Sequence, residues 1–174
     1  MQEDKNDSTE ANDPAMASLD ITIINDMIEN IESLEKKCKA KKGEDVIEMR
    51  TRQLCLSKIL VYVYEKDIFH LIKGFTLLGI SYIDIGFFEQ AQEHLLSAFK
   101  LIENLTDAKN IFLKEYQIKI LINLSKCYLE NGKANAALSI SEKCLKINET
   151  LLGENHITNA DILFVLVLVN FLLF

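Results

Sequence analysis

Tryptophan is absent from this chain of 174 residues, proline occurs once and glycine six times. A β-sandwich or barrel spends glycine and proline on its many turns, so their scarcity excludes such folds and leaves long helices with short connections. Histidine is equally sparse. His70, His94 and His156 are too scattered for a zinc site, and no cysteine stands at ligand spacing from them. Basic charge is also in deficit: 19 Lys and Arg face 26 Asp and Glu, for a net charge of −7. A phosphate-binding protein gathers Lys and Arg on one face, so the balance argues against nucleic acid as a partner. No GxSxG, glycine-rich phosphate loop, HExxH or EF-hand loop is present. The carboxylate pairs Glu89/Glu93 and Glu142/Glu149 lie at helical spacing, where a solvated surface explains them. The five tyrosines are read as packing residues. The expectation is therefore no catalytic, cofactor-binding or metal-binding residue, and no enzyme.

The N-terminus has neither a basic start nor an apolar stretch of the kind that opens a signal peptide. Cys38, Cys55, Cys127 and Cys144 form no CxxC and fall among apolar neighbours, so they read as reduced core thiols and the chain as cytoplasmic. Six acids (Glu3, Asp4, Asp7, Glu10, Asp13 and Asp20) precede residue 21 against Lys5 alone. With little to bury, residues 1–19 are expected to be a disordered acidic tail.

What is abundant is apolar residues at helical spacing. Ile21, Ile24, Met27, Ile28, Ile31 and Leu34 recur in steps of three and four from Asp20, which suits a helix start. Lys36, Lys37, Lys39, Lys41 and Lys42 crowd the far end before Gly43, where cations complement the helix dipole. Further helices are expected over about 45–64, 68–85, 88–105, 108–131 and 134–152, with a last one from about 157. Residues 20–67 would then form an N-terminal helical hairpin.

Two later hairpins repeat. Leu78, Gly79, Tyr82, Gly86, Phe88, Ala91, Leu95, Ala98 and Phe99 are answered by Leu124, Ser125, Tyr128, Gly132, Ala134, Ala137, Ser141, Cys144 and Leu145, at a constant offset of 46 residues. Small residues in the set let helices approach, the large ones fill the space beside them, and the glycines turn the chain. This set resembles the tetratricopeptide repeat. The resemblance implies an all-α fold of helical hairpins stacked as a short right-handed superhelix, an α-solenoid. The repeats would span 72–105 and 118–151, with a partial copy over 160–174 and residues 20–67 as a diverged earlier one. Leu151, Leu152, Gly153 and His156, followed by Ala160, Leu163 and Leu166, are similar to the linker of the long-period subclass typified by kinesin light chains. Ile157, Val167 and Asn170 depart from that pattern, where Pro, Ala and Tyr are expected.

The resemblance implies a protein-binding scaffold or adaptor, in the cytoplasm or in a cytoskeletal, motor or ciliary complex. Its groove positions fall on Lys73, Thr76, Ile80, Ile83 and Asp84 in the first clear repeat. In the second they fall on Lys119, Ile122, Lys126, Leu129 and Glu130. The Lys/Asn clamp of chaperone-binding members is not reproduced. A partner helix or an acidic-apolar segment suits this mixed surface, and packing of the isoleucines on a neighbouring repeat is an equal reading. Ile162–Phe174 is apolar except for Asn170, and at thirteen residues falls short of the 17–25 or so that a membrane span needs. It is read as the first helix of an incomplete repeat, as the cut end of a longer array, or as a short membrane or partner anchor. Its apolar residues spread around the helix, so self-association is expected.

Overall fold

The computed structural model describes residues 14–65, 68–105, 111–153 and 156–173. They form seven α-helices: α1 (Pro14–Cys38), α2 (Glu44–Tyr62), α3 (Phe69–Asp84), α4 (Phe88–Glu103), α5 (Ile111–Glu130), α6 (Ala134–Leu152) and α7 (Thr158–Leu173). There is no strand among the described residues, so the fold class is all-α. The acidic residues 1–13 lie outside the described range. Helix α1 begins at Pro14, not at Asp20. Proline is tolerated in a first turn, where its missing N–H has no intrahelical partner to lose. The acidic tail expected over 1–19 therefore overlaps the helix by six residues.

Along α1, Ile24, Ile31 and Cys38 are buried at steps of seven, and the first two close on Leu60 of α2. Ile21, in the same apolar stripe by spacing, is 60% exposed. Helix α2 lies between α1 and α3 and buries Leu54 against Leu71 and Leu78. In α4, Ala91, Leu95, Ala98 and Ile102 are buried at steps of four, three and four. Ala137, Ser141, Cys144 and Asn148 repeat those steps in α6, 46 residues on. Small side chains at this spacing allow each helix to lie close on its partner.

The two hairpin turns match bond for bond. Gly86 N–H donates to the Ile83 carbonyl at 2.9 Å and Phe87 N–H to Tyr82 at 2.9 Å. Gly132 N–H donates to Leu129 at 3.0 Å and Lys133 N–H to Tyr128 at 2.8 Å. This is the Schellman closure, which needs a left-handed residue after the helix; Gly86 and Gly132 supply it with φ of 82° and 71°.

Each helix packs on the next in sequence, and the only non-consecutive pairs whose backbones come together, among the described residues, are α3 with α5 and α5 with α7. Before α7 the chain turns at Gly153, whose carbonyl accepts from Asn159 Nδ2 at 3.1 Å, while Asn148 Nδ2 donates to Asn159 Oδ1 at 2.6 Å. His156 Nδ1 accepts the Thr158 N–H at 3.3 Å, at the start of α7. Helix α7 buries Ile162, Val165 and Val169 but leaves Phe164, Val167 and Phe171 63–82% exposed. No helix among the described residues is long and apolar enough to cross a membrane.

Candidate partner-binding surface

The ten groove positions fall on α3 and α5, five to each helix and 46 residues apart. Steps of three, four, three and one keep each set of five on one helix stripe. Burial divides them. Lys119, Lys126 and Glu130 of α5 are exposed, as is Asp84 of α3. Thr76 is fully buried, with its hydroxyl donated to the Ile72 carbonyl at 2.8 Å. It therefore belongs to the interior, not to an open face. A hydroxyl that closes on its own helix backbone can enter a core at little cost, which spacing alone does not reveal.

The remaining positions are half-buried for different reasons. Ile83 packs on the α3–α4 core beside Ala91 and Leu95. Ile122 packs on the cluster of Ile118, Cys144 and Ile162, and Leu129 on Ala137, Val165 and Val169. Ile122 and Leu129 thus share their clusters with residues of α7. Ile80 instead stands with Asp84 in a pocket of about 370 Å³ between the α1–α2 turn and α3.

Lys73 is committed elsewhere. Its Nζ lies 2.6 Å from Glu35 Oε2, joining α3 to α1, with both side chains about one-quarter exposed. Burial raises the Glu35 carboxyl, but the hydrogen bond and charge of Lys73, with Arg50 and Lys39 beyond it, outweigh burial and hold it below the ordinary value. Tyr116 of α5 meets Phe69 of α3 edge to face, with ring centroids 5.0 Å apart. Burial raises the Tyr116 hydroxyl, the Lys73 charge lowers it and Glu35 raises it, so all three groups share one electrostatic environment. Side chains of α1, α3 and α5 thus come together along one seam.

Several participants escaped the sequence reading. Glu35 carried no signal, since its partner Lys73 lies 38 residues away in sequence. Lys41 and Lys42 were legible as complements of the α1 dipole, but not as walls of a pocket shared with Arg50. His94 is half-buried and stacked on Tyr82 with ring centroids 5.4 Å apart, and burial lowers its pKa, outweighing the opposing Glu93 charge.

Burial pushes the Cys127 thiol up to about 11 and the Cys144 thiol up to about 12, so both stay protonated. Cys38 is also buried, whereas Cys55, expected in the core, is exposed; all four are free thiols. Among the described residues no cluster of three or more His, Cys, Asp or Glu side chains is placed to hold a metal ion. No family model, curated protein or solved structure matches the chain at a significant level.

Proposed function

We propose that the chain is a tetratricopeptide-type array whose work is to bind other proteins as a scaffold or adaptor. The observation that carries this reading is the 46-residue register, which recurs as the same Schellman turn and the same buried stripe in α3–α4 and α5–α6. Contacts of α3 with α5 and of α5 with α7 support a stack in which alternate helices line one side. The family resemblance, if it holds, brings with it a right-handed superhelix of the long-period subclass and a place in the cytoplasm, in a cytoskeletal, motor or ciliary assembly. The surface offered by α5 carries Lys119 and Lys126, exposed one above the other at a spacing of seven. Such a face suits a partner helix or an acidic segment. No catalytic role is proposed.

Affinity capture with the intact chain tests this, read against a Lys119→Glu/Lys126→Glu variant. A stoichiometric protein partner that the variant loses, at unchanged helical dichroism, is the expected result. Equal capture by both would move the working surface away from α5. A second reading, attachment to a membrane surface through the exposed apolar side of α7, draws on Phe164, Val167 and Phe171. Flotation with lipid vesicles tests it, and a chain that stays in the dense fraction removes it.

A further inference from the structure

The pocket between the α1–α2 turn and the second half of α3 has a composition of its own. Its volume of about 370 Å³ falls within the roughly 300–1,000 Å³ of small-ligand and side-chain sites. Val46, Leu77, Ile80 and Ile85 form its apolar wall, and each is only partly covered by the fold. Three cations stand around this wall: Lys41, Lys42 and Arg50. Lys41 is engaged by Asp45 at 2.9 Å. Lys42 is exposed and in no ion pair among the described residues. Arg50 gives Nη1 to the buried Gln53 Oε1 at 2.7 Å, while its Nε is buried with no acceptor. Asp84 is the one acid among the lining residues.

The charge of this corner runs against that of the molecule. The chain carries −7 overall, yet five lysines and no acid lie between residues 36 and 42. Helix α2 also starts here, at Glu44, with Gly43 as the residue before it and no side-chain cap on its N–H groups. Gly43, Val46 and Arg50 turn to this pocket, whereas Glu44, Asp45 and Glu48 line a different depression with Tyr82 and Phe87. A carboxylate set beside a branched aliphatic side chain answers both the unpaired Lys42 ammonium and the half-covered wall.

We propose that this pocket binds an acidic-aliphatic peptide segment of a protein partner, with the aliphatic side chain on Leu77, Ile80 and Ile85 and a side-chain carboxylate on Lys42 and Arg50. The inference rests on the protein-binding reading and locates one of its contacts on α1–α3, apart from the lysines of α5. A twelve-residue peptide of three Leu-Glu-Asp-Leu blocks, carrying fluorescein on its N-terminal amine and amidated at its C-terminus, serves as the probe in an anisotropy titration of the full chain. Saturable binding is expected, weakened at least fivefold by Lys42→Glu and by Ile80→Asn at unchanged helical dichroism, and unchanged in Lys119→Glu/Lys126→Glu. Peptides with Gln for the acids, or Ala for the leucines, should each bind at least tenfold more weakly. Absence of binding, or binding indifferent to Lys42 and Ile80, overturns the proposal. So does equal binding of the Gln peptide or of the Ala peptide, since one half of the recognition would then be missing. The pocket can fail this test while partner capture still depends on α5, so the two readings stand or fall separately.

Discussion

At Gly79 and Ser125 the α3–α4 and α5–α6 hairpins solve one packing problem with different side chains. A Cβ added to Gly79 would meet Leu95 Cγ at 2.7 Å, with the Ala91 carbonyl at 3.2 Å behind it. In the second hairpin Ser125 and Ser141 replace the glycine–leucine pair and hydrogen-bond to each other, with Ser125 Oγ also donating to the Ala137 carbonyl at 2.9 Å. Gly79→Ala should therefore cost about 1–3 kcal/mol through overpacking, read from urea unfolding. Ser141→Leu should be destabilising alone and partly rescued by Ser125→Gly, a coupling that a double-mutant cycle measures. The Glu35–Lys73 pair carries a pH signature. Because the Glu35 pKa is lowered in the fold, its contribution is complete above the ordinary value of 4.5 and is lost as pH falls through the lowered one. A quarter-exposed pair is worth about 1 kcal/mol or less. Glu35→Gln should lower the melting temperature slightly at neutral pH and converge on the parent in acid.

Helices here are joined by their small residues as much as by their large ones. Ala91 and Ala137 are fully buried at the same point of α4 and α6. Aspartate at either would place a carboxylate in a tight contact with no partner. A loss of about 3–5 kcal/mol is expected from an uncompensated buried charge, a large share of the roughly 5–15 kcal/mol that keeps a domain folded, so thermal melting should fall sharply. Parent-like thermal melting of both variants would show that the stripe is misassigned. Most element boundaries were legible, with α6 matching its expected ends and α3 and α4 within two residues, because glycine and apolar periodicity mark them. The start of α1 was not, since a polar composition says little about whether the chain will coil once Pro14 permits it.

Across the molecule, α7 is the element with unfinished cover. Leu163, Phe164, Val167, Leu168 and Phe171 are 38–82% exposed on a helix whose other side is buried on α5 and α6. Burial of a large apolar side chain is worth about 1.5–3 kcal/mol, and patches of this kind favour association. The full chain is expected to self-associate in sedimentation velocity, and Phe164→Lys/Val167→Lys/Phe171→Lys to sediment as a monomer at unchanged helicity. A parent that is monomeric without detergent would mean that this side of α7 tolerates water.

The sequence by itself determined the all-α class, the six helix-to-helix intervals and the 46-residue register, because these rest on local spacing and on where glycine permits a turn. The resemblance placed the ten candidate positions, which the spacing puts on two matching stripes. Only the tertiary structure decided which of them face solvent. Thr76 went into the core, Ile122 and Leu129 joined clusters with residues of α7, Lys73 was taken by Glu35, and Ile80 was left beside three cations. Those outcomes depend on which helix lies against which, and residues brought together from 38 positions apart leave no periodic trace along the chain.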